Sequence, residues 1–488
     1  MIKPLHLLLP ALGALAGCSF APDYKPPAVE TPVAYKEAGP WAVAQPADDK
    51  PRADWWKDFG DATLNDLEGQ IDAGNPDLAA SVARYDQARA YVSETDASML
   101  PTVGLNASAT TNRQSAKRPL RSANQPNQYG DNSIGLQASY EIDFWGQIRN
   151  TVAAGEATAQ ARGADMETVR LGLHAELAND YVALRGLDAE MKLLTDTEQA
   201  YQRAQTLTKD RYEAKIASGI DVSRSESQLE SARALESDVR AQRAQLEHAI
   251  ASLVGKPASD FSIAPVVVKL PVPAEPTGLP SSLLQRRPDI AADERKVAAA
   301  NDNIGVAKAA FYPNISLNLA GGFQNTGSGL GLLSAPYSFW SVGPSLALPL
   351  FEGGMRHAVE AGAYAARDEA AANYRSTVLA AFQEVEDNLA LLHHLGQETL
   401  DETQAVTAAE HTADLSLTLY HDGAASYLDV VVSQTDALQA ERTLLDLDTR
   451  RLQADIKLVR AVGGGWSTAD LPTTEMVDQL PERAKPAS

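Results

Sequence analysis

Cysteine is almost absent from the sequence, since Cys18 is the only one among 488 residues. A single thiol excludes an intramolecular disulfide and any metal site that needs several thiolates. Basic residues are also scarce, because 42 Lys and Arg stand against 64 Asp and Glu and leave a net charge of -22. Such a chain lacks the positive field that nucleic-acid phosphates require, so we expect no nucleic-acid partner.

Long apolar runs and catalytic motifs are missing as well. After residue 17 no stretch of 18 apolar residues occurs, so the sequence contains no candidate transmembrane helix. His393 and His394 lie outside any HExxH motif, no GxSxG occurs, and the glycine-rich segment 327–331 lies between two predicted strands rather than before a helix. We therefore predict no catalytic residue, no metal site and no cofactor, and expect that the protein is not an enzyme.

The lone cysteine follows a short apolar segment. Residues 1–17 carry Lys3 and then a leucine-rich stretch, which is too short to span a bilayer and is typical of a secretory signal peptide. The segment ends in LAGC at Cys18, which resembles the lipobox of bacterial lipoproteins, where cleavage leaves the cysteine as a lipid-bearing N-terminus. Ser19, rather than Asp, comes next, so the resemblance favours the outer membrane. An ordinary signal peptide with an incidental cysteine is the alternative.

An internal repeat organises the rest of the chain. The motif NPDL at 75–78 returns as RPDI at 287–290, and LPTVGLN at 100–106 returns as YPNISLN at 312–318, with the same offset of 212 positions. Further on, Tyr212–Val222 matches Tyr420–Val430 at an offset of 208 positions. Each half therefore repeats one order of elements: helix, strand, loop, strand, long helix, turn, helix.

Four segments show the period-two alternation of β-strands: 103–109, 133–144, 314–319 and 340–350. Each is close to the length of about 10 residues at which a tilted strand crosses a bilayer. A soluble antiparallel sheet alternates too, but the signal peptide and the lack of transmembrane helices favour an outer-membrane barrel. Because the smallest membrane barrels have about eight strands, four strands per chain predict an oligomer, and three copies supply 12 strands.

Long helices occupy the remainder of each half. From Gln147 to about Thr208, and again from Met355 to Leu419, no proline occurs and apolar residues recur at three- and four-residue steps. This pattern predicts helices of roughly 90 Å that pack as coiled coils.

Two prolines stand where helix gives way to strand. Pro101 and Pro313 occupy equivalent positions of the two halves, and proline cannot continue a helix. We interpret them as the rim at which helices change into membrane strands.

These features predict a division of the chain into six parts. They are a signal peptide (1–17), a lipid-anchored N-terminal tail (18–60), a first repeat (61–255), a proline-rich linker (256–280), a second repeat (281–465) and a C-terminal tail (466–488).

Four segments are specific enough to indicate a family: RRPDIAADERKVAAANDNIGVAKAAFYPNISL (286–317), PLFEGGMRHAVEAG (349–362), AFQEVEDNLA (381–390) and LYHDGAASYLDVV (419–431). Together they resemble the TolC-like outer-membrane factors, in particular the lipoprotein branch that serves RND-type efflux pumps. The resemblance covers almost everything after Cys18. It implies an α+β membrane protein with a long α-helical coiled-coil barrel and four transmembrane β-strands per protomer, so that a trimer forms a 12-stranded β-barrel.

The resemblance also implies a function and partners. A lipid-anchored homotrimer in the cell outer membrane would extend into the periplasm, dock to a periplasmic adaptor and reach an inner-membrane RND-type pump. It would act as a passive conduit for small molecules. Within the channel class, the channel of a protein secretion system is the alternative. From another class, a lipid-anchored coiled-coil scaffold without a pore explains the helices but leaves the strands unexplained.

The two helix turns at the periplasmic end are the expected tip of the channel. The resemblance places Tyr420 and Asp429 where relatives hold the tip closed, and Tyr212 and Asp221 occupy the equivalent positions of the first repeat. We expect Asp429 either to narrow the pore as a negative ring or to cap its own helix. Tyr420 is expected to brace neighbouring helices.

Three residues at the tip depart from the family pattern. Ala425 stands where some relatives carry an arginine that ties the closed state, Val432 replaces an acidic residue, and Lys215 stands where glycine is common. The resemblance therefore leaves the contacts that close this tip undetermined.

Overall fold

A computed structural model describes residues 19–37, 54–119, 122, 124, 126–273, 283–326 and 333–479. The signal peptide and Cys18 lie outside the described residues, as do parts of the predicted linker and C-terminal tail. No helix in the described segments combines the length and the apolar content needed to cross a membrane.

The first half contains four helices and two strands. They are α1 (Ala62–Gly74), α2 (Pro76–Asp96), β1 (Thr102–Arg113), β2 (Gln128–Glu141), α3 (Gln147–Glu213) and α4 (Gly219–Leu253). Asp61 starts α1 by accepting hydrogen bonds from the N–H groups of Thr63 and Leu64. Pro76 is the first residue of α2, where a backbone N–H would have no hydrogen-bond partner within the helix, so proline is tolerated there.

The second half repeats this order with α5 (Pro288–Ala309), β3 (Asn314–Asn325), β4 (Ser338–Ala347), α6 (Met355–His421) and α7 (Tyr427–Ala461). In each half the long helix has 67 residues and the returning helix has 35. At 1.5 Å per residue the long helices extend about 100 Å. The prediction of helices far longer than a compact domain needs is confirmed.

Short helices complete the described chain. Five are 3-10 helices, Trp55–Phe59, Ala97–Met99, Ala258–Asp260, Ala335–Tyr337 and Thr468–Asp470, and two are short α-helices, Leu283–Arg286 and Thr474–Asp478.

Two strands end earlier than the alternation predicted. β2 ends at Glu141 and not at residue 144, and β4 ends at Ala347 and not at residue 350. In the first case the chain turns because the Asp143 carboxylate accepts hydrogen bonds from the N–H groups of Ile148 and Arg149, at 3.1 and 3.0 Å. These bonds satisfy the free N–H groups at the start of α3, so the apolar residues beyond Glu141 belong to a strand-to-helix turn.

Each returning helix ends against the start of a helix in its own half, and the same contact is made by different residues. In the first half Asn75 Nδ2 donates to the carbonyl oxygen of Leu253 at 2.9 Å. In the second half Arg287 Nη1 donates to the carbonyl oxygen of Ala461 at 3.1 Å. The repeat therefore conserves the contact and not the side chain.

A glycine follows each of these helix ends. Gly255 has φ +71° and Gly463 has φ +100°. A Cβ atom would lie 2.0 Å from the carbonyl oxygen of Gly74 at the first position and 2.0 Å from that of Arg286 at the second. Both the backbone conformation and the close approach therefore require glycine.

The four strands form one antiparallel sheet in the order β1-β2-β3-β4. The register aligns Leu105 with Leu136, Leu136 with Gly321, and Gly321 with Trp340. These residues belong to an apolar face that the chain itself leaves uncovered, since Leu105 is 70% exposed and Trp340 is 79% exposed.

The opposite face of the sheet is lined by hydroxyl and amide groups. Ser108 Oγ and Ser133 Oγ lie 2.8 Å apart, and Ser139 Oγ donates to Asn318 Oδ1 at 3.0 Å. Asn318 Nδ2 in turn donates to Ser345 Oγ at 3.1 Å. The sheet is therefore polar on one side and apolar on the other, which reverses the usual arrangement in which a chain covers its own apolar face.

Two main clusters of buried side chains hold the helical part together. One gathers Trp55, Trp56 and Phe59 with apolar residues of α1, α3 and α7, and the other joins α5, α6 and α7 around Val378 and Val385. Both lie about midway along the long helices, and smaller buried clusters, such as that of Tyr420, Tyr427 and Val430, lie nearer the turns.

Candidate functional sites at the two ends of the long helices

Both helix turns lie at one end of the molecule. The first follows α3 and the second follows α6, and the ends of these helices touch. Arg211, near the end of α3, donates hydrogen bonds from Nη1 to the carbonyl oxygens of Tyr420 and His421, both at 3.0 Å. These carbonyls lie in the last turn of α6, where C=O groups have no partner within the helix, although the Tyr420 carbonyl also accepts from the N–H of Gly423 in the turn at 3.0 Å. Arg211 therefore ties one helical hairpin to the other.

Tyr420 lies at the centre of this contact. Its side chain is buried, packs edge-on against Tyr427 with ring centroids 5.2 Å apart, and carries the guanidinium of Arg211 over its face at 4.8 Å. The cation lies where the ring quadrupole attracts it. Burial raises the pKa of the neighbouring Tyr427 to about 12.

Tyr212 does not share this arrangement, although it is the repeat equivalent of Tyr420. Its side chain is 52% exposed. The structure therefore brings Tyr420 together with Arg211 and leaves Tyr212 on the surface.

Asp221 and Asp429 both cap the returning helices. Asp429 accepts hydrogen bonds from the N–H and Oγ of Ser426 at 3.0 and 2.8 Å, and Asp221 does the same with Ser218 at 3.2 and 2.9 Å. Each pair forms a complete capping box. The hydrogen bonds from the Ser426 hydroxyl and backbone lower the pKa of Asp429. The capping role is thus visible in one chain, whereas the narrowing of a pore by Asp429 stays a prediction.

The sequence pattern did not reveal Arg211. Its repeat equivalent is Leu419, so the first repeat carries a cation where the second carries an apolar residue. That difference in charge between equivalent positions is the one sequence signal from which Arg211 could have been identified. Lys215, which was noted in the sequence, has φ +62°, whereas Gly423 at the equivalent turn position has φ +78°. Both turns need the left-handed conformation, and the first adopts it with a residue that has a Cβ.

The opposite end of the helices contains both prolines of the predicted rim. Helix α5 ends at Ala309, four residues before Pro313, and β3 begins directly after the proline. Leu100, just before Pro101, has the extended conformation that a residue preceding proline favours. Trp145 Nε1 donates to the carbonyl oxygen of Pro313 at 2.8 Å. Pro313 therefore joins the start of β3 to the turn that follows β2.

Aromatic rings and the first described residues meet at this rim. Phe20 stacks on Tyr312 with centroids 4.6 Å apart, and Tyr312 stacks on Trp145 at 4.7 Å. Ser19 Oγ donates to Asn150 Oδ1 at 2.8 Å. The chain that follows Cys18 thus lies where the helices meet the sheet.

A buried acid–base pair lies between α1 and α3. Glu68 Oε2 lies 2.6 Å from His174 Nδ1, and Trp56 stacks on the His174 ring with centroids 4.5 Å apart. Burial raises the pKa of Glu68 to about 7. Sequence analysis missed this pair because its members are 106 positions apart. Among the described residues no group of three or more His, Cys, Asp or Glu is arranged to hold a metal ion.

Known proteins resemble this chain in both sequence and fold. The family profile described as "Outer membrane efflux protein" matches residues 67–256 and 279–464. The toluene efflux pump outer membrane protein TtgF of Pseudomonas putida is 29% identical over 470 residues, which cover 94% of this chain and 97% of the relative. The pyoverdine export outer membrane protein OpmQ of Pseudomonas aeruginosa is 30% identical over 420 residues, which cover 85% and 88%.

Solved structures of outer-membrane channels superimpose on this chain. The outer-membrane channel OprN superimposes with a TM-score of 0.86 at 28% identity, over 92% of this chain and 100% of that chain. The open state of the Neisseria gonorrhoeae MtrE outer membrane channel gives a TM-score of 0.77 at 27% identity, over 92% and 99%. With the profile covering most of the chain, the protein belongs to the outer membrane efflux protein family and is an outer-membrane channel component of an efflux pump.

Proposed function

We propose that three copies of the chain form one continuous conduit, with a 12-stranded barrel in the outer membrane and a helical barrel in the periplasm. Small molecules pass through it passively. The tip docks to a periplasmic adaptor and, through the adaptor, to an inner-membrane RND-type pump. The observation that carries this proposal is the four-stranded sheet, which has two open edges and faces of opposite polarity.

The edges of the sheet require partners. Within the chain β1 pairs only with β2 and β4 pairs only with β3. In lipid, the remaining backbone groups of β1 and β4 would be left without hydrogen bonds, each at a cost of several kcal/mol. Pairing β4 of one copy with β1 of the next removes both edges, and the ring closes with three copies.

The two faces of the sheet fit the two sides of such a barrel. Leu105, Trp340 and their neighbours would contact lipid, and the ladder of serine and asparagine side chains would line the lumen. Outward apolar and inward polar residues are the pattern of membrane barrels. This face consists mainly of hydroxyl and amide groups, together with the carboxylates of Asp131 and Glu141, and such a lining suits a polar passage.

The rim supports a lipid anchor on Cys18. Ser19 and Phe20 lie at the junction of helices and sheet, beside Trp145 and Tyr312. Aromatic rings favour the interface between membrane and water, so this junction marks the periplasmic surface of the bilayer. Cys18 directly precedes Ser19 in the sequence, so acyl chains attached to it would be close enough to enter the inner leaflet.

The tip supports a role in closure. Arg211 connects the hairpins of one protomer through the Tyr420 and His421 carbonyls and the Tyr420 ring. Ala425 lacks the side chain with which some relatives make such a tie. We propose that Arg211 takes over this role, with Tyr420 as its platform, and that Asp429 adds negative charge to the narrowed opening.

Reconstitution tests the conduit. The purified protein should have the mass of three chains in native mass spectrometry and should produce discrete current steps in planar lipid bilayers. A folded trimer that conducts no ions, even after Arg211→Ala releases the tip, would refute the conduit and favour a scaffold without a pore. Co-purification with a periplasmic adaptor protein, lost on deletion of the turn 214–218, tests the docking.

A further inference from the structure

The N-terminal chain contributes an aromatic ring to the packing of each long helix, and one residue distinguishes the two places. In the second half, Tyr35 belongs to the same buried cluster as Phe382 of α6. The equivalent position of α3, 208 residues earlier, is His174, and Trp56 stacks on its ring with centroids 4.5 Å apart. A phenylalanine therefore fits this position of the repeated helix, and the histidine of α3 adds a group that can bind a proton.

The imidazole of His174 has a carboxyl group on each side. Glu68 Oε2 lies 2.6 Å from Nδ1, and Asp72 Oδ1 lies 4.0 Å from Nε2. A neutral imidazole carries a hydrogen on only one of its nitrogens. If that hydrogen is on Nε2, the short contact at Nδ1 needs the proton of the Glu68 carboxyl, and if it is on Nδ1, Nε2 turns a lone pair toward Asp72. One additional proton on the pair therefore satisfies both sides of the ring.

The burial of Glu68 favours the same protonated state. Its side chain is 0% exposed and that of His174 is 6% exposed. Glu68 Oε1 is buried too, and no described residue donates a hydrogen bond to it. An ionised carboxylate is costly in such a place, whereas the additional proton makes the pair neutral overall. Burial accordingly raises the pKa of Glu68 to about 7, although the hydrogen bond and the charge of His174 act in the opposite direction.

The surrounding elements supply no other counter-charge. The charges that act on Glu68 are those of His174 and Asp72. Asp72 pairs with Arg170 of α3 at 3.0 Å, and Arg170 also pairs with Glu167 at 2.7 Å. Other ionisable groups on the elements packed here are exposed or paired elsewhere: Lys57 and Asp58 beside Trp56, Asp66 on α1, Tyr181 and Arg185 on α3, Glu247 and His248 on α4, and Asp455 and Lys457 on α7. Among the described residues, His174 is thus the one cation that can neutralise an ionised Glu68.

We propose that Glu68 and His174 form a buried latch, which holds one proton between its two members and seats Trp56, and with it the segment Trp55–Phe59, against α3. When the proton leaves, a negative charge stays buried and the segment loosens. The carboxyl holds its proton more tightly in the folded molecule, so its contribution to stability is full below its ordinary pKa of 4.5 and is lost as the pH rises through about 7.

The latch gives the N-terminal tail a pH-dependent attachment. The segment Trp55–Phe59 lies at the end of the tail that begins at Cys18, directly before α1. Loosening it would free the tail from the helices while the packing around Phe382 in the second half stays unchanged. The latch lies within one chain and requires neither a trimer nor a pore.

Hydrogen–deuterium exchange of the full-length protein in detergent tests the latch. A carboxyl whose pKa is about 7 when buried and 4.5 when exposed shifts its opening equilibrium about tenfold between pH 6 and pH 8. After correction for the chemical exchange rate, opening of Trp55–Phe59 and of α1 around Glu68 should therefore be about tenfold greater at pH 8. Amides of α6 around Phe382 are the internal control and should not respond. Unchanged opening of Trp55–Phe59, or an equal response around Phe382, would overturn the proposal.

Variants distinguish the proton from packing alone. Glu68→Gln places an amide N–H beside His174 Nδ1 at every pH, so it should abolish the response while the segment stays seated at pH 6. Glu68→Leu combined with His174→Phe installs the apolar ring of the second half and should abolish the response too. Asp66→Asn, which changes an exposed acid of the same helix, is the matched control and should keep it. If a folded Glu68→Gln protein keeps the tenfold response, another group binds the proton and the latch is wrong.

Discussion

Replacing Arg211 should release the tip. The guanidinium donates to two carbonyl oxygens at the end of α6 and covers the Tyr420 ring. It also brings a positive charge to a helix C-terminus, where the helix dipole favours it. Arg211→Ala removes all of these contacts at once. It leaves the His421 carbonyl to water and leaves the Tyr420 carbonyl with the N–H of Gly423 as its remaining partner.

The size of the effect follows from the geometry. A hydrogen bond from a charged donor contributes about 1.5 to 3 kcal/mol, and an exposed cation–π contact about 0.5 to 1 kcal/mol. Arg211 is partly exposed, so solvent screening reduces the total to about 2 kcal/mol. A shift of that size changes the balance between tied and released tips about thirtyfold.

Single-channel recording measures this balance. In planar bilayers Arg211→Ala should raise the open probability or conductance. Arg211→Lys should give an intermediate value, because a lysine ammonium can donate to the two carbonyl oxygens but has no planar guanidinium to lie over the Tyr420 ring. Arg203→Ala is the matched control, since Arg203 is exposed on the same helix and makes no hydrogen bond or ion pair that is described. Equal currents from the parent, Arg211→Ala and Arg203→Ala would refute the tie.

Three other substitutions test the remaining sites. Cys18→Ser should abolish incorporation of labelled fatty acid while the protein stays in the outer membrane, because the strands still span it. Asp429→Ala and Asp221→Ala should each lower thermal stability through the lost capping box, and only Asp429→Ala should raise conductance if Asp429 narrows the pore. Gly255→Ala should cost at least about 2 kcal/mol in thermal unfolding, whereas Gly69→Ala, in open space within α1, should stabilise by about 0.5 to 1 kcal/mol.

Periodicity predicted the fold well because each element repeats over many residues. The helices of α3 and α6 run for 67 residues each, and the four strands fall where the alternation placed them. The predicted ends of β2 and β4 lie further along the chain than the observed ends. Alternation continues through the strand-to-helix turns, and only the Asp143 cap shows where the strand has stopped.

The site was predicted less completely because its contacts join distant parts of the chain. Tyr420 could be chosen from the turn motif, but its partner Arg211 is 209 positions away. Glu68 and His174 are likewise separated by 106 positions. No local pattern specifies such pairs, since they depend on how one hairpin lies against another.

The repeat explains why differences between the halves are informative. Contacts that the shared backbone needs are kept with new side chains, as when Arg287 takes the place of Asn75 and still donates to the end of the returning helix. A change of side chain that the shared backbone does not require is therefore easy to recognise when the two halves are compared. Arg211 opposite Leu419, and Glu441 opposite Arg233, alter charge without altering the helices that carry them.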